Sequence, residues 1–119
     1  MVALNFQKRF APLVESGQKR QTIRALRKDG SRPFRHGVNL QLYTAMRTKH
    51  CRKLADAVCE MAADICIKEN GTVKIDGQTI YDVSAEELAR ADGFVDRAEM
   101  IAWFKETHGL PFRGVLIQW

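Results

Sequence analysis

Between Val38 and Met46, the residues Val38, Leu40, Leu42 and Thr44 alternate with Asn39, Gln41 and Tyr43, the period-two pattern of a strand with one buried face. Similar reasoning divides the rest of the chain. Ala3 to Phe6 is a short apolar run that predicts an opening strand, followed by a brief helix. Pro12 suits the first turn of that helix, where its missing N–H costs nothing, and Gly17 suits the position just past its end. A basic strand is expected from Arg20 to Ala25, then a turn at Asp29-Gly30-Ser31-Arg32-Pro33 and a second break at Gly37.

The stretch from Arg52 to Lys68 carries two patterns. Leu54, Val58, Met61 and Ile65 fit a helical stripe, whereas Cys59, Met61, Ala63, Ile65 and Ile67 share one face at period two. Asn70-Gly71 looks like the turn of a hairpin, and the first arm of that hairpin must precede it, so one long strand is the preferred reading. Val73 to Ile75 and Thr79 to Tyr81 then form short strands about Asp76-Gly77. Two helices follow, each announced by an acceptor residue with glutamate three positions on: Ser84 with Glu87, and Asp96 with Glu99. The chain closes with a strand from Phe112 to Trp119. Strands at both ends and helices between them predict an α+β fold, a small curved mixed sheet or open barrel in a single domain spanning residues 1–119.

Charge changes this picture more than composition does. The net charge is +5, but residues 1–53 hold thirteen bases against two acids, a local +11, while the remainder holds six bases against twelve acids, a local −6. An anionic partner fits such polarity, and a merely solvated basic face fits it too. Cys51, Cys59 and Cys66 are an odd count without Cys-x-x-Cys spacing, which argues against a disulfide framework and a zinc knuckle. The three histidines are scattered, so neither a metal nor a cofactor is expected. No window is apolar enough for a membrane span, and the expectation is a cytoplasmic protein with no membrane partner and no obligatory protein partner.

The densest chemistry lies in Gly17-Gln18-Lys19-Arg20-Gln21-Thr22-Ile23-Arg24. Lysine, hydroxyl and guanidinium within six positions can hold a phosphate or attack a carbonyl. A second cluster, Arg47, Lys49, Arg52 and Lys53, is positioned to track a phosphate backbone, with Arg32 and Arg35 extending it. Tyr43 and Phe34 are candidate stacking faces for a base. In the plainer reading these cations are surface charges, Thr22 is a β-favouring residue and the aromatics belong to the core.

The order of elements and the residues resemble the ASCH domain family, which has a PUA-like fold built on a small mixed β-barrel. The resemblance covers nearly the whole chain. It is carried by Phe6-Gln7-Lys8-Arg9-Phe10, by Gly17 to Arg24, which is similar to a Gly-x-Lys-x-x-Thr-x-Arg signature, and by Asp92-Gly93-Phe94 leading into the helix with Trp103 and Phe104. It implies a short N-terminal helix, two helices before the last strand, and RNA or a nucleoside or nucleotide as ligand. It also implies two activities as alternatives to binding alone: an amidohydrolase acting on N4-acetylcytidine, or a ribonuclease. For the amidohydrolase it implies Lys19 and Thr22 as working residues together with an acid, here Asp92 where the family has glutamate. Glu87 and Glu99 are the other carboxylates that the fold would have to bring in for that role.

Amide hydrolysis requires a nucleophile, a base and an acid for the leaving amine, and Thr22, Lys19 and Asp92 match those roles. Arg20 and Arg24 are neighbours that would help lower the Lys19 pKa. Strict alternation would place Lys19 opposite Thr22, so the chemistry requires Lys19 to lie in the turn after Gly17 and not in the strand. The alternative from a different class is a non-catalytic protein-interaction module that uses the basic face.

Overall fold

Leu40 and Leu42 are 1% and 0% exposed, so the alternation about them buries the expected face. In the computed structural model, which describes residues 2–119, they lie on β3 (Asn39–Thr44), the centre of a three-stranded sheet. β1 (Val2–Phe6) runs parallel to β3 on one side, and β4 (Arg52–Val58) runs antiparallel on the other. β3 is shorter than the expected Val38–Met46 because Ala45 and Arg47 take positive φ, 54° and 65°, which ends the extended run. A register shift between Leu42 and Tyr43 gives β4 an extra residue and bends the pair.

A second, antiparallel sheet has the order β2, β8, β5, β6, β7, with β2 at Gln21–Ala25, β5 at Met61–Ile67, β6 at Val73–Ile75, β7 at Gln78–Ile80 and β8 at Phe112–Gln118. β8 is an interior strand, with β2 and β5 as neighbours, and Leu116 and Ile117 on its opposite faces are 1% and 0% exposed.

The single long strand expected over Arg52–Lys68 is therefore two strands in different sheets. Cys59 still bonds the first sheet's end: its N–H donates to Val38 O at 2.8 Å and its carbonyl accepts from Gly37 N–H at 2.8 Å. Glu60 N–H turns to Gln118 O of the second sheet, also at 2.8 Å. The expected buried face is interrupted at the switch, where Met61 is exposed between the buried Cys59 and Ala63, Ile65 and Ile67; because Met61 is itself apolar, the hydrophobic pattern of the sequence carries no trace of the break. The strands form two sheets, not a closed ring, which corrects the barrel expectation to an α+β fold with two sheets and three helices.

Helix α1 (Ala11–Glu15) packs on β3 and β4, and α2 (Asp82–Ala91) packs on α3 (Arg97–Thr107). No helix among the described residues is long and apolar enough to cross a membrane. The Ser84 cap is not formed. α2 starts three residues earlier, with Tyr81, 77% exposed, at the N-cap and Asp82 in the first turn, where its carboxylate pairs with Arg97 at 3.2 Å. The strand expected at Thr79–Tyr81 accordingly closes at Ile80. Asp96 does cap α3: its Oδ1 accepts from Glu99 N–H at 2.8 Å, and the Glu99 carboxylate accepts from Val95 N–H at 3.2 Å. Asp96→Ala is expected to cost about 1 kcal/mol in urea unfolding; an unchanged midpoint would mean that the helix start is held by the Glu99 contacts alone.

Candidate functional site

After α1 the chain turns at Gly17, whose φ of 83° is costly for a residue with a Cβ, and Lys19 N–H donates to Leu13 O at 2.9 Å. The basic strand begins at Gln21, two residues beyond Lys19, so Lys19 escapes strand alternation as the chemistry demands. Its side chain turns inward and is 3% exposed. The ammonium donates to the backbone carbonyl of Asp92 and lies 3.2 Å from Asp92 Oδ1. Asp92 is the C-cap of α2, so the lysine also sits where that helix presents its last carbonyls, a position favourable to a cation.

Two cleft groups are held from β2. Gln21 Nε2 donates to Leu88 O at 3.3 Å and to Asp92 Oδ1 at 3.2 Å, and Gln21 Oε1 accepts from Gln118 Nε2 at 3.3 Å. Arg24 Nε donates to Thr22 Oγ1 at 3.0 Å, and its Nη2 donates to Asn5 O at 2.7 Å, while its guanidinium lies 4.9 Å from the centre of the Phe6 ring. With Arg24 donating to its oxygen, the Thr22 hydroxyl keeps its own proton to give, and any negative charge developing there is favoured. Lys19, Thr22, Arg24 and Asp92 all line one cleft of about 300 Å³, whose apolar walls include Phe6, Phe10 and Trp103.

Burial dominates the titration of this cluster. Desolvation pulls the Lys19 amine below its usual value, against the attraction of Asp92. Desolvation likewise raises the Asp92 carboxyl, against Lys19 and the Gln21 hydrogen bond. Arg24 is lowered by burial too, without a guanidinium becoming a base. Because folding lowers the Lys19 pKa below 10.5, the unfolded chain holds that proton more tightly, and the stability tied to Lys19 rises with pH between the lowered value and 10.5. Asp92 acts in the opposite sense: its contribution is fullest below 3.8 and declines as pH rises through the raised value. Chemical unfolding of wild type and Lys19→Met is expected to diverge in favour of wild type as pH climbs toward 10.5; parallel profiles would show that Lys19 titrates like a surface lysine.

The remaining candidates lie elsewhere. Arg20 is exposed, donates from Nε to Trp119 O at 2.8 Å and lines a separate groove near β4. Tyr43 is half-buried on β3, opposite Lys53. Arg32 pairs with Asp64 at 2.6 Å, Arg52 with Glu15 at 2.5 Å and Lys53 with Asp56 at 2.6 Å, so half of the expected basic stripe is already matched by carboxylates. Arg35, Arg47 and Lys49 are exposed and outside those pairs. Glu87 is exposed on α2 and Glu99 pairs with Arg9 at 2.5 Å, so neither replaces Asp92, whose shorter side chain reaches Lys19 directly. No group of three potential metal ligands occurs among the described residues.

Gln21 was not singled out by its sequence position, although a polar residue between Arg20 and Thr22 at the start of a buried strand is the only signal available for it. The chain matches no family model, no characterised protein and no solved structure.

Proposed function

We propose that this chain is an ASCH domain of PUA-like fold that binds a modified nucleoside or RNA and hydrolyses an N4-acylated cytidine amide in the Lys19 cleft. The observation that carries the reading is that Lys19, Thr22 and Asp92 line one small, aromatic-walled cleft in which the Lys19 amine lies 3.2 Å from the Asp92 carboxyl. The fold assignment rests on the element order, with a short helix between the first two strands and two helices before β8.

In this mechanism the buried pair reacts in the form in which its proton has passed from Lys19 to Asp92, a shift that burial favours for both groups; Thr22 Oγ attacks the amide carbonyl carbon while the Lys19 amine accepts the hydroxyl proton. Lys19 Nζ is engaged by Asp92 and Thr22 Oγ by Arg24, so the transfer requires the amine to reach the hydroxyl directly or through a water in the cleft. The Asp92 carboxyl, biased toward its protonated form, gives a proton to the departing N4 amine, and the acyl group remains on Thr22 as an ester. Water then cleaves that ester, releasing the carboxylic acid and restoring the hydroxyl. Arg24 favours the negative charge that develops on Thr22 Oγ. The wild-type protein is expected to release acetate from N4-acetylcytidine; saturable binding of that nucleoside with no acetate formed would leave a binding pocket and end the hydrolytic reading.

A binding role for RNA on the basic half is favoured by one observation, the exposure of Arg35, Arg47 and Lys49 outside the ion pairs. That role requires affinity that falls with salt and weakens when those three are neutralised.

A further inference from the structure

The Lys19 cleft adjoins a second cleft of about 260 Å³, and Arg24 and Ala25 of β2 line both. Asn5 and Phe6 of β1 line the first, Ala3 and Leu4 line the second, and β2 flanks both. The two hollows therefore follow one another along the seam where the edge strand of one sheet runs beside the edge strand of the other.

The second hollow has its own chemistry. Arg24, Arg27 and Arg32 line it with a single acid, Asp64, so its wall has an excess of positive charge. Arg27 is exposed, stands outside the ion pairs of the described residues, and holds its guanidinium 5.9 Å from the centre of the half-buried Phe34 ring. Arg32 and Asp64 pair at 2.6 Å, but each side chain is 61% exposed, so an anion can compete for Arg32 at little cost. A flat aromatic face beside guanidinium groups recognises a planar ring carrying a nearby anion.

We infer that this second cleft is a binding site for a nucleotide, with the phosphate against Arg27 and Arg32 and the base against Phe34. Arg24 then forms the shared wall between that nucleotide and the acylated cytidine next to it. The inference rests on the nucleoside reading of the Lys19 cleft, and it extends the substrate from the free nucleoside, which fills the Lys19 cleft alone, to an oligonucleotide of at least two units that fills both.

The test is a titration with cytidine 5′-monophosphate, followed through the NMR signals of the Phe34 ring and the Arg27 and Arg32 guanidinium groups. Saturable shifts of all three are expected, with affinity at least tenfold weaker in Arg27→Ala and in Phe34→Ala, and weaker as salt rises. These substitutions lie on the irregular segment between β2 and β3, away from the strand ladders. Silent Phe34 and arginine signals, or affinity unchanged in both variants, would overturn the second site. Acetate release from N4-acetylcytidine is scored separately, so loss of the hydrolytic reading leaves these shifts in place, and silent shifts leave acetate release in place.

Discussion

Asp92→Ala is expected to lower the unfolding free energy by about 3–5 kcal/mol, because it strands an amine that is only 3% exposed without its carboxylate. The cost comes from the partner left behind more than from the interaction removed. Lys19 has burial pressing it toward the neutral form already, and the Asp92 carboxylate is the main influence that holds its proton in place. Gln21 is less affected, since its Nε2 keeps Leu88 O at 3.3 Å. The double variant Lys19→Met with Asp92→Leu replaces both charges by apolar groups of similar volume and should recover more than half of the loss. Urea unfolding of wild type, Lys19→Met, Asp92→Leu and their combination forms a double-mutant cycle. Additive losses in the double variant would show that the two groups do not act as a buried pair. In the same series acetate release should fall to background wherever Lys19 or Asp92 is altered, including in the double variant with its stability restored, which separates the chemistry from the fold.

Gly114→Ala is expected to be nearly as damaging, with melting lowered by about 10 °C. A Cβ at Gly114 would stand 2.2 Å from the backbone carbonyl of Arg24 and 2.8 Å from the Phe112 ring. Gly114 pairs with Ala25 on one side and Ile65 on the other, so neither neighbouring strand can move aside without breaking a ladder. The cost falls at about 3 kcal/mol, the upper end for overpacking, because the nearest obstacle is main chain and not a flexible side chain. It also displaces β2, which holds Thr22 and Arg24 in the cleft. A variant that melts with the wild type would mean that β2 and β8 sit farther apart than the structure places them.

Much of this architecture was legible in local pattern. The alternation around Leu40 and Leu42, the Asp96 cap and the turn at Gly17 each rest on chemistry within a few residues, and each forms. The requirement that Lys19 leave the strand before Thr22 was also readable, since alternation alone puts the two on opposite faces. What pattern could not supply depends on distant partners. The switch at Cys59 and Glu60 is written in hydrogen bonds to Val38 and Gln118, not in hydrophobic period. Ser84 lost its capping role to a helix that begins at Asp82, where Arg97 reaches across from α3. Arg52 and Lys53 read as a free basic cluster until Glu15 and Asp56 are brought beside them by the fold. The role of Gln21 follows only once Leu88, Asp92 and Gln118 surround it.

The position of β8 between β2 and β5 bears on how the chain is made. Among the described residues β8 follows every other strand in the order of synthesis, yet it is the only neighbour of β2 and the link between β2 and the rest of its sheet. A nascent chain that has emerged through α3 carries β2 with no partner and β5 with one edge bare, both strands rich in groups that pair readily with other chains. The Lys19 cleft therefore closes only after residues 112–118 have been delivered, and a chain halted before that stretch is poised to aggregate.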